Sequence, residues 1–284
     1  MKTLYIFSLV LLFSLILISC DEITSDYKQS VNKNIDTSQN ARKILIEDYT
    51  GFRCGNCPAA AEVARDITAL YPGRVILMTV HSGFFAIPTK SHPYDFRTPE
   101  ATEWDGFFGI SDAGNPNGMV NRINYDGSRI ITPSKWSAAV NSLLTSEPEM
   151  KIELNVFYSI NRKEITVDAD VTYMKEGNSN HRIVVAILED SIVQYQTDYR
   201  KTPPDIEDYV HNHVFRTTMN STWGEQLYSG DIKAGDVIKK SYTYKIPEGK
   251  DWRIEKLKIV AFVHDNNTKE ILQAEETDKF ILIL

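Results

Sequence analysis

Residues 43–81 read KILIEDYTGFRCGNCPAAAEVARDITALYPGRVILMTVH, in which two short apolar runs flank a stretch of helical pattern. Both runs are typical of buried strands. Between them, Val63, Ile67 and Leu70 recur at the spacing of one helix face, and the turn residues 71–73 end the helix. The order strand, helix, strand predicts a βαβ unit.

A pair of cysteines separated by two residues stands at the predicted start of this helix. The pair is Cys54-Gly55-Asn56-Cys57, followed by Pro58, which is favoured in a first helical turn. A thiolate is stabilised by the positive end of a helix dipole, and Arg53 adds a cation beside Cys54. The spacing therefore favours a redox pair, with an inert disulfide or a metal site as the alternatives.

The third cysteine of the chain, Cys20, ends an apolar N-terminal run that starts at Leu4. The run is shorter than the roughly 20 residues of a spanning helix, so it predicts a signal peptide. Residues 17–20, Leu-Ile-Ser-Cys, fit the bacterial lipobox, which predicts cleavage before Cys20 and attachment to the membrane through its lipid. The alternative is an ordinary secretory signal with a chance cysteine. Residues 21–40 are polar and predict a flexible tether.

The charge balance excludes some partners. The chain carries 31 Lys and Arg against 38 Asp and Glu, a formal net charge of −7. An acidic chain is poorly suited to binding nucleic acid, or to adhering to anionic lipid by charge alone. We therefore expect the lipid to provide the membrane contact, and we expect no nucleic-acid partner.

The second half of the chain has a different periodicity. Around residues 150–173, apolar and polar side chains alternate, and further apolar runs follow at intervals up to residue 284. Such runs, separated by polar turns, predict an antiparallel β-sandwich. Residues 195–235 interrupt the pattern, which indicates an irregular excursion.

The first half resembles the thioredoxin superfamily. The resemblance rests on the CxxC between strand and helix, on Asn115-Pro116 before an apolar run, and on Asp48 six residues before the first cysteine. It implies that Cys54 attacks a client disulfide and that Cys57 resolves the mixed disulfide. It also implies that Pro116, if cis, packs against the pair and that Asp48 exchanges a proton with Cys57, a role for which the adjacent Glu47 competes. The aromatic-rich segment 82–114 could form a groove for an unfolded client or cover the pair.

A more specific resemblance covers nearly the whole chain after residue 20. Residues 49–51, Tyr-Thr-Gly, before the CxxC-Pro, the run Asn-Pro-Asn-Gly-Met-Val-Asn-Arg at 115–122, and His-Asn-His-Val-Phe-Arg at 211–216 resemble the outer membrane protein 28 family of Bacteroidetes lipoproteins. This resemblance implies outer-membrane attachment, facing the periplasm or the cell surface. It implies no established substrate.

Together these observations predict an α/β thioredoxin-like domain followed by an all-β immunoglobulin-like sandwich domain. The expected segments are a signal peptide (1–19), a lipid anchor and tether (20–40), a thioredoxin-like domain (41–147) and a β-sandwich domain (148–284).

Histidines supply the remaining candidate ligands. His211 and His213 are two residues apart and could form half of a metal site if both lay on one strand face, but no third ligand follows by spacing. Metal delivery would need a histidine near the cysteine pair, for which His81 and His92 are candidates. We predict neither a metal nor another cofactor.

The function predicted from the sequence is that of a membrane-anchored, extracytoplasmic thiol-disulfide oxidoreductase-like lipoprotein acting on protein thiols or disulfides through Cys54 and Cys57. The alternative is a non-enzymatic outer-membrane or surface binding lipoprotein with a structural disulfide. The two differ in the reactivity of Cys54.

Overall fold

The computed structural model describes residues 41–284, so the predicted signal peptide, Cys20 and the tether lie outside the described residues. The described part contains three α-helices: α1 (Cys57–Leu70), α2 (Pro99–Phe108) and α3 (Pro133–Leu143). It also contains fourteen strands: β1 (Ile44–Thr50), β2 (Val75–His81), β3 (Asn117–Val120), β4 (Met150–Ser159), β5 (Glu164–Tyr173), β6 (His181–Glu189), β7 (Ile192–Thr197), β8 (Asp205–His211), β9 (Val214–Thr218), β10 (Glu225–Gln226), β11 (Val237–Lys245), β12 (Leu257–Asp265), β13 (Ile271–Thr277) and β14 (Ile281–Ile283).

The predicted strand–helix–strand unit is present. β1 and β2 pair in parallel from Ile44 opposite Val75 to Thr50 opposite His81, and α1 connects them. Every residue of both strands is buried, as expected for parallel strands covered on both faces. The unit places the start of α1 and the carboxyl ends of both strands at the same edge of the sheet.

The expected fold class, an α/β thioredoxin-like domain followed by an all-β immunoglobulin-like sandwich, is wrong. The protein is mostly β, and one eight-stranded mixed sheet contains strands from both halves of the chain in the order β13-β12-β6-β9-β2-β1-β3, with β10 paired to β6. The two halves meet where β9 pairs with β2: Thr79 lies opposite Val214, and its amide donates to the carbonyl of His213 at 2.8 Å. A continuous apolar run predicts that β2 is central, but it does not indicate which strand lies beside it.

A second sheet covers one face of the large sheet. Its order is β11-β5-β4-β14, and the inward side chains of β4 and β5 pack on alternate residues of β6, such as Ile183 and Val185. The intervening residues of β6, such as Val184, belong to a second core with Leu45 and Trp104. Since successive side chains of a strand point to opposite faces, β6 and β12 serve two cores at once.

Residues 195–235 are also more regular than predicted. They include most of the hairpin β7–β8, which forms a separate two-stranded sheet, and the whole of β9. The proposed division of the chain at residues 147 and 148 stays a prediction. None of the helices within residues 41–284 has the length and apolar character needed to cross a membrane.

Candidate functional site

The two cysteines form a disulfide in the loop between β1 and α1. Cys54 and Cys57 are bonded, with their Cα atoms 5.4 Å apart. Cys57 is the first residue of α1, and its amide donates to the carbonyl of Cys54 at 3.2 Å. Both residues are buried, with 3% of Cys54 and 2% of Cys57 exposed. The pair therefore has the expected position at a helix start, but it is covered.

Pro116 lies immediately before β3, at the same edge of the sheet. The Asn115–Pro116 peptide bond is cis, and the side-chain amide of Asn115 donates to the carbonyl of Tyr49 at 3.3 Å. β3 pairs antiparallel with β1, with Asn117 opposite Tyr49. This pairing fixes the proline beside the end of the strand that leads into the cysteine loop.

Asp48 and Glu47 face different surroundings, because neighbours on a strand point to opposite sides. Glu47 accepts two hydrogen bonds of 2.7 Å from the guanidinium of Arg122, and neither side chain is exposed. Asp48 is only 1% exposed, and neither of its carboxyl oxygens has a hydrogen-bond partner. Burial raises the pKa of Asp48 from 3.8 to about 7. Asp48 is therefore available for proton exchange near neutral pH, whereas the carboxylate of Glu47 is hydrogen-bonded to Arg122.

A small cavity connects Asp48 with the cysteine pair. Its volume of about 30 Å³ is sufficient for a water molecule. The lining residues, from both halves of the chain, are Asp48, Thr50, Cys57, Pro58, Ala61, Thr79, His81, Gln196, Tyr209, His211 and Asn212. Cys57 is thus the cysteine that lines the same partly open cavity as the unpartnered carboxyl.

Two histidines, His81 and His211, form another wall of this cavity, and their ring centroids are 5.5 Å apart. Burial lowers the pKa of His81 well below its ordinary value, and neither of its ring nitrogens has a hydrogen-bond partner. Burial also lowers the pKa of His211 to about 4, and its Nε2 donates to the carbonyl of Tyr195 at 3.3 Å. Both imidazoles are therefore neutral at pH 7.

From the sequence, His81 and His211 were candidates only for binding a metal. One local signal pointed to His81: it ends a parallel strand, and the ends of adjacent parallel strands meet at one edge. His211 belongs to the second half of the chain, and no local sequence pattern predicts that it lies beside His81. The proposed pairing of His211 with His213 is not formed, since His213 has a φ of 55° and lies 3.8 Å from Asp190. Within residues 41–284, no three His, Cys, Asp or Glu side chains are arranged to hold a metal.

The cover over the disulfide comes from the end of β7 and the turn that follows it. The amide of Thr197 donates to the carbonyl of Phe52 at 2.9 Å, and the amide of Tyr199 donates to that of Gly55 at 2.9 Å. The side-chain amide of Gln196 donates to the carbonyl of Cys54 at 3.1 Å. From the aromatic-rich segment, Phe84 lies beside Arg53, whose guanidinium is 4.7 Å from the ring centroid.

Residues 107–278 match the sequence profile of the family Outer membrane protein Omp28. The chain belongs to this family. Membership of the Omp28 family locates the protein at the outer membrane, as predicted from the sequence. No curated protein matches the chain.

Several solved structures are similar to this Omp28 family member. HBP35 of Porphyromonas gingivalis is 16% identical over 84% of this chain and 75% of its own, with a TM-score of 0.61, which shows a shared fold. A domain of the outer membrane lipoprotein Omp28 from Porphyromonas gingivalis is 23% identical over 48% of this chain and 92% of its own, with a TM-score of 0.34. Protein AGR_C_4864 from Agrobacterium tumefaciens is 13% identical over 84% of this chain and 95% of its own, with a TM-score of 0.49.

Proposed function

We propose that this outer-membrane protein exchanges disulfides with protein clients through Cys54 and Cys57. The observation that carries the proposal is the cavity in which the unpartnered carboxyl of Asp48 and the residue Cys57 meet. A disulfide that only stabilises the fold needs no acid beside it, and a buried carboxyl without a partner destabilises the folded protein. Such groups are concentrated at functional sites.

The chemistry of one turnover follows from the positions of the residues. In the oxidised protein, a client thiolate forms a bond to Sγ of Cys54, the Cys54–Cys57 bond breaks, and Cys57 leaves as a thiolate that takes a proton from Asp48. The second thiol of the client, after giving up its proton, attacks the client sulfur of the mixed disulfide and releases Cys54 as a thiolate. The client loses two electrons and gains a disulfide, and the protein becomes a dithiol. The reverse sequence reduces a client disulfide.

The pKa of Asp48, about 7, suits this role. Near neutral pH the carboxyl is protonated in a large fraction of molecules, so a proton is available when Cys57 leaves. In the reverse direction the carboxylate accepts the proton of Cys57 and makes it a nucleophile. General acid–base catalysis is most effective when the pKa of the group lies near the working pH.

A trapping experiment tests the proposal. In membranes from cells producing Cys57→Ser, Cys54 has no resolving partner, so we expect mixed disulfides with client proteins to accumulate. Cys54→Ser is the matched control and should trap none, because in the proposed exchange a client bonds only to Cys54. Equal yields of adducts from the two variants would contradict the assigned roles.

The reduction potential of the purified protein provides a second test. We expect a value above about −300 mV, since exchanging pairs have higher potentials than structural disulfides. A lower value, together with an absence of trapped clients, would favour a structural disulfide. The burial of both cysteines is the observation that fits this alternative.

We also propose that the anchor is a lipid on Cys20. The proposal rests on the lipobox at residues 17–20 and on the outer-membrane family. Mass spectrometry of the mature N-terminus should find a lipidated cysteine, and Cys20→Ser should yield unprocessed or soluble protein. An unmodified N-terminus at another residue would exclude this anchor.

A further inference from the structure

The proposed chemistry requires that a client sulfur reach the disulfide. An attacking sulfur must reach Sγ of Cys54, yet only 3% of this residue is exposed. Exchange rates depend on access as much as on the reactivity of the thiol. Part of the protein must therefore move before a protein client can react.

Residues 196–200, which we call the strap, run across the cysteine loop and hydrogen-bond to it from outside. Three donors of the strap, from Gln196, Thr197 and Tyr199, bind the carbonyls of Cys54, Phe52 and Gly55. These three carbonyls span the loop on both sides of the first cysteine. The strap, which consists of the end of β7 and the turn after it, thus occupies the carbonyl groups that an extended client could bind.

The ring of Tyr199 closes the strap over the loop. A Cβ added to Gly55 would lie 2.4 Å from Cγ of this ring, so the ring lies directly against the backbone between the cysteines. The outer face of the ring is open to solvent, with Tyr199 66% exposed. The contact needs a glycine at position 55, and of the strap residues Tyr199 and Arg200 are exposed, whereas Gln196 and Asp198 are buried.

The attachment of the strap is weak at its far end. Arg200 donates to the carboxylate of Glu62 on α1 at 2.6 and 2.9 Å, and to that of Asp198 at 2.8 Å. The side chains of Arg200 and Glu62 are 43% and 47% exposed, and exposed ion pairs contribute little to stability. The strap belongs to the hairpin β7–β8, whose strands pair only with each other among the described strands. An isolated two-stranded hairpin is marginally stable and opens at low cost.

We propose that the strap gates the Cys54–Cys57 pair, and that an extended segment of a protein client displaces it and takes over its hydrogen bonds to Phe52, Cys54 and Gly55. This inference rests on the proposed exchange function and adds its regulation. Displacement also widens the opening of the cavity to water, because Gln196 of the strap forms part of its wall. Client binding and proton delivery are thereby coupled.

The rate at which dithiothreitol reduces the disulfide of the full mature protein tests the gate. Arg200→Ala and Glu62→Gln both release the strap from α1, and we expect each to raise the rate about two- to fivefold, which is the range that loss of an exposed ion pair allows. The two substitutions remove opposite charges, so a purely electrostatic effect on the attacking thiolate would change the two rates in opposite directions. Asp126→Asn, which breaks an exposed ion pair with Lys135 in another part of the protein, is the control and should leave the rate unchanged.

Hydrogen exchange provides the structural readout. We expect the amides of Thr197 and Tyr199 to exchange faster in Arg200→Ala, whereas the amides of β1 keep their protection. Unchanged reduction rates in both folded variants, or rates that move in opposite directions, would overturn the gate. Failure of the proposed function has a different signature: the variants react faster with dithiothreitol, but Cys57→Ser traps no client.

Discussion

Glu47 and Arg122 form a salt bridge that has no exposed surface on either side, with two hydrogen bonds of 2.7 Å. The guanidinium also lies within 5.1 to 5.9 Å of four aromatic ring centroids, those of Trp104, Phe108, Trp223 and Phe262. Trp223 and Phe262 belong to the second half of the chain. The charged guanidinium of Arg122, in the first half of the chain, is thus surrounded by side chains from both halves.

Breaking this pair should destabilise the fold strongly. Glu47→Gln leaves Arg122 buried without a counter-ion, and we expect the free energy of unfolding to fall by about 3–5 kcal/mol. Urea denaturation at pH 7 measures the change. Glu153→Gln, which breaks the partly exposed pair with Lys151, is the control and should unfold at nearly the wild-type urea concentration. A loss below about 1 kcal/mol in Glu47→Gln would mean that water reaches the guanidinium.

The buried histidine of the hairpin should make the protein sensitive to acid. The pKa of His211 is about 4 in the folded protein and near 6.5 in the unfolded chain, so the unfolded chain binds the proton more readily. The contribution of His211 to stability should therefore fall by on the order of 3 kcal/mol as pH drops from 6.5 to 4. His211→Gln keeps a donor for the carbonyl of Tyr195 but does not titrate, so we expect its stability relative to the wild type to rise as pH drops.

Urea denaturation between pH 4 and 7 measures this dependence. Phe96→Leu is the control, because Phe96 packs on the ring of His211 with centroids 4.7 Å apart but carries no charge. It should lower stability by a similar amount at every pH. Parallel curves for the wild type and His211→Gln would contradict the assignment.

The local part of the fold could be predicted from the sequence. Apolar runs, a helical period and a proline near the helix start gave β1, α1 and β2. The same kind of signal marks α3, which has a proline in its first turn and buries apolar residues at helical spacing, among them Trp136, Val140 and Leu143. Each of these elements depends on residues that are close together in the chain.

The non-local part could not be predicted in the same way. Val214 is apolar in any fold, and nothing in its neighbourhood indicates that β9 lies beside β2. Likewise, Gln196 and Tyr199 give no sign that they lie on the cysteine loop, more than 140 residues earlier. Periodicity shows which side of a strand is buried, but not which strand is its neighbour. For this reason the expected fold class was wrong, and the candidate site predicted from the sequence lacked the strap and His211.

The unpartnered carboxyl of Asp48 should lower stability at neutral and alkaline pH. Its pKa is about 7 in the folded protein and 3.8 in the unfolded chain, so the folded protein binds the proton more tightly. The contribution of Asp48 to stability should fall by on the order of 4 kcal/mol as pH rises from about 4 to 7 and then level off, in the opposite direction to the contribution of His211. Asp48→Asn removes this dependence, so it should be more stable than the wild type at pH 8. A variant with the same pH dependence as the wild type would show that the carboxylate is solvated.

The same substitution should slow the exchange reaction, which separates a proton donor from a residue that only affects stability. With glutathione as the reductant, we expect Asp48→Asn to lower the rate of reduction at pH 7 about 100-fold, at the lower end of the range for general acid–base catalysis. The wild-type rate, corrected for the thiolate fraction of glutathione, should decrease above pH 7 as Asp48 loses its proton. Asp48→Asn should show no such decrease. Asp66→Asn is the matched control, because it removes an exposed acid from α1 and should keep both the wild-type rate and its pH profile. If Asp48→Asn becomes more stable but reacts at the wild-type rate, the carboxyl does not supply the proton to Cys57.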